Sequence, residues 1–556
     1  MTQNVGQYIA QLLEQEGLDK MFILTGGDHH LWIALDDRGI SPMLARSEFS
    51  AIYMADGYAQ RSGSIGISYG QGGPGAANAS AALADPMWSM TPLITLNGST
   101  PEKDKFRHQY QDLDTEPMLE AVTAASFRIS APSQITLVLP RAIAIARRSG
   151  PVNVSIPRDL FGKDVGPVTW PVVIPDAGGP ITPDAGSITT AVEAISAMRR
   201  PLILAGAGVK QAGVGTDVIA LAEVLGAPIA TSAGGKGSVP EANEYALGVI
   251  GRYSSKVSIA VALEADGVIV LGSRLGGMVT DGYRIPPDGA PIVHVDRDIR
   301  SLAVHPGPGV RVQADLQAGI AALLSGLADH KPAAETLEWQ RSAADRRRAW
   351  WKHIETIPAY GTDGALRPHA LFAEISSHAD EITVVADTGY MAAWTCSLFE
   401  VQDRHGYFRA NGSLGWAYPA SLGIQAADLS RRVVCISGDG GIGYHMGDFE
   451  TAHRLGLPVI VIVLNNRGLA FERHGQKIKY GNRIVPAVND LSDLDHSGVA
   501  RSFGWRGERV RTLEEFTAQL KSALSDNSCP WMIDVVVDRE DFAPITNYDS
   551  LLEREI

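Results

Sequence analysis

Two short polar turns in the last third of the chain combine residue types that could bind a metal and a phosphate. The first is GDGG at 438–441 and the second is NNRG at 465–468, and each follows a run rich in Val and Ile. Glycines allow close backbone approach to a ligand and expose amide N–H groups to phosphate. The Asp439 carboxylate and the Asn466 side-chain oxygen are ligands that Mg²⁺ prefers. If the two runs are neighbouring parallel strands, the turns predict a Mg²⁺–diphosphate site with Gly468 as a further ligand; either turn alone is typical of an ordinary loop.

Such turns need buried strands to position them, and the whole chain shows that pattern. Short runs rich in Val, Ile and Leu alternate with longer amphipathic stretches, which is typical of parallel strands covered on both faces by helices. A chain of 556 residues is too long for one hydrophobic core. Proline-rich residues 162–186 and charged residues 328–368 read as connectors. We predict an α/β protein with three doubly wound parallel-sheet domains at 1–165, 187–328 and 365–545, with ligands at the carboxyl ends of the strands.

Composition disfavours several classes of function. The net charge of −14 argues against a nucleic-acid partner, and the apolar run at 457–464 is too short to cross a membrane. The three cysteines, Cys396, Cys435 and Cys529, are widely spaced and form no CxxC, so they predict neither a disulfide framework nor a zinc site. The N-terminus has the spacing of an amphipathic helix rather than of a signal peptide. We therefore expect a cytoplasmic protein that acts on small molecules.

The GDG turn followed by NN at this spacing resembles the signature of thiamine diphosphate enzymes. In the first domain, residues 47–63 (SEFSAIYMADGYAQRSG) resemble the "RHE…ADGYA…G" segment of the acetohydroxyacid synthase and pyruvate decarboxylase superfamily. A glutamate in a first helical turn commonly serves the helix dipole. The resemblance instead implies that Glu48 hydrogen-bonds the aminopyrimidine of the cofactor and activates it. Ser47 stands where many members have histidine.

Further motifs extend the resemblance over almost the whole chain. GGPGAANA at 72–79 is similar to the family's Gly-Pro-Gly loop beside the cofactor, and ADTGYMAAW at 386–394 is similar to the strand end that touches the diphosphate. NGSLGWAYPASLG at 411–423 resembles "GxLGxxxPAxxG" of the decarboxylases, which implies that Leu414 bends the cofactor. The residues that the resemblance implies for cofactor binding are Gly73, Asn78, Thr388, Gly389, Tyr390, Leu414, Gly438, Gly440, Gly441, Ile442, Asn466 and Gly468.

Residues that would face the reacting carbon decide between reactions of this superfamily. Asp28 in LTGGDHHLW and Glu472 in NNRGLAFE match carboxylates of pyruvate decarboxylase-like members, and Gln111 in YQDLDT matches a glutamine of carboligating members. His29 matches a histidine of benzaldehyde lyase-like members, or is an exposed loop histidine. Two carboxylates in a closed apolar cleft should have raised and separated pKa values, so that one donates a proton while the other stays ionised.

The resemblance implies an enzyme that uses thiamine diphosphate and Mg²⁺ to make or break a C–C bond next to a carbonyl. The favoured reaction is decarboxylation of a 2-oxo acid, with release or carboligation of the activated aldehyde, as in acetolactate synthase-like enzymes. The alternatives are a lyase or hydrolase of a 2-hydroxy ketone, cyclic 1,2-dione or 2-hydroxyacyl-CoA, a catalytically silent homologue or regulatory subunit, and a nicotinamide-dependent oxidoreductase. A homodimer or homotetramer with the active site between subunits is also implied.

The middle domain carries two glycine-rich segments, AGAGV at 205–209 and GSRLGG at 272–277. Neither is a complete GxGxxG fingerprint, so both are weak indicators of a nucleotide. In relatives this domain holds a flavin, an adenine nucleotide or nothing, and Arg274 has the position of an arginine that can meet a phosphate. We favour an empty middle domain over one that binds FAD or ADP.

Overall fold

The computed structural model describes residues 3–26, 28–105, 107–167, 179–305 and 307–545. The described chain forms three six-stranded sheets in which all neighbouring strands are parallel. Helices cover the sheets, and the central strands are buried along nearly their whole length. The prediction of three doubly wound α/β domains is confirmed, whereas the exact domain boundaries stay predictions. Part of the predicted connector, residues 168–178, lies outside the described residues.

The first sheet has the strand order β2-β1-β3-β4-β6-β5. Its strands are β1 (Lys20–Ile23), β2 (Ser41–Leu44), β3 (Gly66–Gly70), β4 (Leu93–Ser99), β5 (Ala125–Arg128) and β6 (Val152–Pro157). Its helices are α1 (Val5–Gln15), α2 (His29–Asp36), α3 (Glu48–Ser62), α4 (Pro74–Ala82), α5 (Ala84–Ser89), α6 (Glu116–Glu120) and α7 (Ile135–Ser149). The expected amphipathic first helix is α1, which buries one face in the core.

The middle sheet has the order β12-β11-β10-β7-β8-β9, which is the Rossmann order. Its strands are β7 (Pro201–Ala205), β8 (Ile229–Thr231), β9 (Ala246–Val249), β10 (Gly267–Leu271), β11 (Ile292–Asp296) and β12 (Gly309–Gln313). Its helices are α8 (Ala185–Ser196), α9 (Ala207–Ala212), α10 (Gly215–Leu225), α11 (Lys256–Glu264), α12 (Ile299–Leu302) and α13 (Leu316–Gly326). The charged connector that follows contains one long helix, α14 (Ala334–Glu355).

The third sheet, β14-β13-β15-β16-β18-β17, repeats the strand order of the first. Its strands are β13 (Ile382–Ala386), β14 (Tyr407–Arg409), β15 (Arg432–Gly438), β16 (Ile460–Asn465), β17 (Arg509–Val510) and β18 (Trp531–Val536). Its helices are α15 (His369–Ser376), α16 (Tyr390–Leu398), α17 (Ala417–Ala427), α18 (Asp439–Ile442), α19 (Phe449–Arg454), α20 (Ala470–Lys479), α21 (Pro486–Asn489), α22 (His496–Arg501) and α23 (Leu513–Ser525). Between β15 and β16 the chain forms two short helices, α18 and α19, joined by a 3₁₀ turn.

Helices α3 and α17 join the first and third domains with their backbones in direct contact. A Cβ atom on Gly57 of α3 would overlap the carbonyl oxygen of Ala420, and one on Gly423 of α17 would overlap that of Met54. Only glycine fits at both positions. The side chains around this crossing belong to one hydrophobic core that spans both domains. Among the described residues, no helix combines the length and apolar character needed to cross a membrane.

Candidate active site

The two polar turns of the third domain meet at the carboxyl ends of neighbouring strands. β15 and β16 are paired in parallel, with Gly438 opposite Leu464. The turns are also bonded to each other, because Asp439 Oδ2 accepts a hydrogen bond from the Gly468 amide at 2.9 Å. The expectation that the two runs are adjacent parallel strands is confirmed. This strand pair lies beside β13, where the strand order reverses, and such switch points are where doubly wound sheets bind ligands.

Asp439 is a buried carboxylate whose environment would favour a bound cation. Its side chain is buried, and burial raises its pKa to about 6, against the lowering effect of the amides of Gly468 and Gly440. A bound cation would favour the ionised form. The described residues contain no cluster of three or more His, Cys, Asp or Glu side chains that could hold a metal. The oxygen set predicted here, with one carboxylate, the Asn466 amide and a backbone carbonyl, fits Mg²⁺, which keeps several water and phosphate ligands.

The glycines predicted to contact the cofactor have two different roles. A Cβ on Gly389, whose φ is +69°, would meet no described atom within 4 Å, and one on Gly438 would meet only Met391 Cε at 3.8 Å. These two positions leave open space for a ligand. In contrast, a Cβ on Gly440 would lie 2.6 Å from Leu469 Cδ2, and one on Gly441 would overlap the Asp387 carboxylate. Open space in front of Gly389 and Gly438 is what a diphosphate group requires.

Asp387, which sequence reasoning missed, connects three segments around the predicted diphosphate site. Its fully buried carboxylate accepts hydrogen bonds from the amides of Thr388 at 2.9 Å and Gly415 at 3.0 Å, and from the Ser437 hydroxyl at 3.0 Å. These donors belong to three separate segments of the chain. Asp387 lies in the motif at 386–394, but its partners Gly415 and Ser437 are distant in sequence, so the motif alone does not reveal this role.

Three other predicted cofactor residues of this domain are at least partly buried. Ile442 belongs to the hydrophobic core, and Leu414 is half-buried. The Tyr390 hydroxyl is hydrogen-bonded to His474 Nδ1, and His474 Nε2 is bonded in turn to the Arg539 carbonyl oxygen at 3.0 Å. Tyr390 thereby connects α16 to α20.

The turn before Leu414 is fixed by the first domain of the same chain. The buried carboxylate of Asp85 accepts hydrogen bonds from the amides of Asn411, Gly412 and Ser413 at 3.0, 3.1 and 2.9 Å. Sequence reasoning also missed Asp85, because it lies in the first domain and its partners lie in the third.

Glu48 opens α3, as predicted, because Ser47 caps the helix. The Ser47 hydroxyl accepts a hydrogen bond from the Ser50 amide at 3.1 Å. The Glu48 carboxylate is buried, and its Oε2 accepts a hydrogen bond from Asn78 Nδ2 at 3.0 Å. A Cβ on Gly75 would lie 2.9 Å from the other oxygen, Oε1. Gly75 therefore leaves that oxygen accessible, and Asn78 orients the carboxylate.

The Gly-Pro-Gly loop packs against the segment that carries Gln111. Gly73 has φ +65° and precedes α4, and a Cβ there would overlap the Gln111 carbonyl oxygen. Gln111 itself has φ +63°, and its Oε1 atom is buried without a hydrogen-bond partner among the described residues. An unpaired buried amide oxygen in this position suits a residue that orients a ligand. The neighbouring Tyr110 is exposed.

The residues predicted to move protons lie in two domains. Asp28 is buried in the first domain, and burial raises its pKa to about 7 while the charge of Arg158 opposes the rise. His29, at the start of α2, and Glu472, in the first turn of α20, are both exposed. Asp28 thus has the raised pKa expected of a proton donor, whereas the closed pair of carboxylates is not formed within one chain.

The glycine-rich segments of the middle domain pack on each other and on the other domains. A Cβ on Gly206 would overlap the Gly272 carbonyl oxygen, so these glycines allow close packing of the chain. The Arg274 guanidinium donates to the Trp88 carbonyl oxygen and lies 5.0 Å from the centre of its ring. The arginine predicted as a possible phosphate partner is therefore bonded to the first domain.

Three family models match the chain in order. They are the N-terminal TPP binding domain of thiamine pyrophosphate enzymes at residues 3–118, the central domain at 188–323 and the C-terminal TPP binding domain at 387–535. The chain belongs to the thiamine pyrophosphate enzymes. Thiamine pyrophosphate is thiamine diphosphate by another name, so the family resemblance drawn from the motifs is confirmed.

Similar proteins of this family match over nearly the whole chain. A "Probable acetolactate synthase large subunit" of Methanocaldococcus jannaschii is 27% identical over 554 residues, covering 97% of this chain and 92% of its own. The acetolactate synthase large subunit of Parasynechococcus marenigrum is 28% identical over 548 residues, covering 95% and 86%. Acetolactate synthase isozyme 3 large subunit of Escherichia coli is 25% identical over 551 residues, covering 96% and 94%.

Proposed function

We propose that this protein decarboxylates a 2-oxo acid with thiamine diphosphate and either releases the activated aldehyde or joins it to a second carbonyl, as an acetolactate synthase-like enzyme. The observation that carries this proposal is the buried Glu48 carboxylate, held by Asn78 with one oxygen left accessible beside Gly75. When bound, the cofactor supplies a nucleophilic thiazolium carbon and an electron sink. Glu48 would hydrogen-bond the pyrimidine ring nitrogen, so that the cofactor's amino group can take the proton from this carbon.

The third domain would bind the charged end of the cofactor. Asp439, Asn466 and the backbone of Gly468 would hold Mg²⁺, because the two turns that carry them follow the paired strands β15 and β16 and are joined by the hydrogen bond from the Gly468 amide to Asp439. Thr388 and Gly389 border the open space in which a diphosphate fits. The Asp387 hydrogen bonds support this arrangement, since they fix the segments on both sides of that space.

Proton transfer and substrate orientation are assigned to four side chains. Asp28 would donate a proton, because with a pKa of about 7 a large share of the Asp28 side chains is protonated at neutral pH. Gln111 would orient the substrate through its unpaired oxygen. His29 and Glu472, exposed in the single chain, would act once a second subunit covers them.

We also propose a homodimer or homotetramer with the active site between subunits. In support, the Glu48 side and the Asp439 side of the site belong to different domains, and each has its own partners within its domain. Large exposed apolar side chains near both sides would be covered by such an interface: Tyr110, Leu113, Tyr444, Tyr480 and Val488. A cytoplasmic location fits the three free cysteines. The middle domain is proposed to be empty, which fits the bonding of Arg274 to Trp88.

The test is to incubate the protein with thiamine diphosphate, Mg²⁺ and a panel of 2-oxo acids, 2-hydroxy ketones and cyclic diones, and to follow carbon dioxide and products by mass spectrometry. Carbon dioxide with a free aldehyde indicates a decarboxylase, and carbon dioxide with a coupled product indicates a carboligase. Cleavage without carbon dioxide would replace the proposal by a lyase or hydrolase. Absence of cofactor binding in calorimetry would indicate a silent homologue.

A further inference from the structure

Asp28 Oδ2 and Tyr69 Oη are among the buried polar atoms near the carboxyl end of the first sheet that lack hydrogen-bond partners in the described part of the chain. Asp28 is 4% exposed and Tyr69 is 1% exposed. Buried polar side-chain atoms nearly always have a partner, either in the protein or in an ordered water molecule. The described residues therefore leave these two atoms without the hydrogen bond that such atoms usually make.

Both atoms lie close to Gly98, which has no side chain. A Cβ on Gly98 would lie 3.1 Å from Tyr69 Oη and 3.4 Å from Asp28 Oδ2, with Arg158 Cγ also at 3.4 Å. Both atoms therefore border the same small space, and one oxygen placed between them at about 2.8 Å from each would satisfy both. Gly98 lies in β4 and keeps this space free of a side chain.

The site is distinct from the place where Glu48 acts. Successive residues of a strand point to opposite faces of the sheet. A Cβ on Gly70 would point towards Glu48, with Cγ at 3.4 Å, so Tyr69 points to the other face, among the side chains of α1, α2 and α7. The loop that carries Asp28 lies at the end of the sheet and reaches this second face.

Packing alone does not explain the Tyr69 hydroxyl. Its ring makes an edge contact with Trp32, with centroids 4.8 Å apart, and phenylalanine would make the same contact. Tyr8 in the same core shows the usual arrangement, because its hydroxyl donates to the Thr136 carbonyl oxygen at 3.4 Å.

We propose that Asp28 and Tyr69 bind one hydroxyl oxygen in front of Gly98, which accepts a hydrogen bond from Tyr69 and donates one to the Asp28 carboxylate. The oxygen comes either from an ordered water molecule or from a hydroxyl group of the substrate. The substrate source rests on the proposed function, whereas the water source does not. If the oxygen is water, Tyr69 is a positioning residue that acts on the reaction through Asp28, and if the oxygen belongs to the substrate, Tyr69 contacts the substrate directly.

The consequence for Asp28 has a definite sign. A hydrogen bond donated to an ionised carboxylate favours that form, so loss of the Tyr69 hydroxyl should raise the Asp28 pKa. Arg158 is the charged group that acts on Asp28 in the folded chain, and the titratable neighbours His29 and His30 are exposed. All three remain in the variant, so a shift would be due to the hydroxyl.

The first experiment needs no turnover. The infrared band of the Asp28 carboxyl group is measured as a function of pH. It is isolated by subtracting the spectrum of the same protein with Asp28→Asn added. Three proteins are compared: the natural chain, Tyr69→Phe, and Tyr8→Phe as the matched control. If the oxygen is water, Tyr69→Phe raises the midpoint by roughly half to one pH unit, and Tyr8→Phe leaves it unchanged. Gly98→Ala, whose methyl group would enter the space, should cause a shift in the same direction.

The second experiment identifies a substrate hydroxyl. With pairs of 2-oxo acids that differ only in one hydroxyl group, Tyr69→Phe should raise KM about tenfold for the hydroxylated member and leave the other unchanged, with no midpoint shift in the free protein. The proposal is overturned if Tyr69→Phe changes neither the infrared midpoint nor this ratio of KM values. If no donor is turned over, the proposed function fails, and the infrared midpoint alone decides on the water site.

Discussion

Replacing Asp387 by asparagine should remove a specific pH dependence of stability. The carboxyl group is fully buried and accepts hydrogen bonds from Thr388, Gly415 and Ser437. Burial raises its pKa from 3.8 to about 7, although these donors and their hydrogen bonds act to lower it. Asparagine keeps the shape of the side chain and has no charge to bury.

The sign follows from the raised pKa in the folded state. Below pH 3.8 the group is protonated in both states and has no effect, whereas between pH 3.8 and 7 only the unfolded state loses the proton. Stability therefore falls as pH rises through this window and is constant above it. A shift of this size corresponds to a total of about 4 kcal/mol, of which about 3 kcal/mol should appear between pH 5 and 8.

The measurement is urea unfolding of the cofactor-free protein at several pH values. Unfolding is monitored by hydrogen exchange of the amides in β13, so that the third domain is observed directly. Relative to the natural chain, Asp387→Asn should gain about 3 kcal/mol between pH 5 and 8. The exposed aspartate Asp380, changed to asparagine, is the control and should show no such gain. A constant difference between Asp387→Asn and the natural chain at all pH values would refute the reasoning, because the carboxylate would then have no raised pKa.

Three further predictions concern the other parts of the site and the domain contacts. Glu48→Gln should keep cofactor affinity in calorimetry but lower turnover by about 10² to 10⁴, and near-normal turnover would exclude its role. Asp439→Ala should weaken Mg²⁺ and diphosphate binding together, so unchanged affinity for both would remove it from the metal site. Lys236 and Glu241, both in the middle domain, form a buried ion pair with an N–O distance of 2.7 Å, and Glu241 also accepts a hydrogen bond from the Val401 amide of the third domain. Lys236→Met should destabilise the protein by about 3–5 kcal/mol in urea unfolding, and equal stability would show that the pair is dispensable.

Local patterns in the sequence predicted the architecture and the pairing of the two strands that carry the polar turns. Runs of Val, Ile and Leu predicted the buried strands, and the turns at 438–441 and 465–468 predicted that two strand ends meet. These predictions succeed because strand burial and turn geometry depend on residues close together in the chain. The position of Glu48 at the start of α3 was equally predictable, since the capping residue Ser47 directly precedes it.

Only the tertiary structure decided which polar groups support the site and which stand unpaired. Asp85 accepts hydrogen bonds from the amides of residues 411–413, which lie more than three hundred positions away. The carboxylate of Asp387 accepts hydrogen bonds from three segments of the chain. Tyr69 and Asp28 come together because β3 and the loop after β1 end at the same edge of one sheet. Such contacts have no local signature, because the free energy of a buried polar group depends on its neighbours in space.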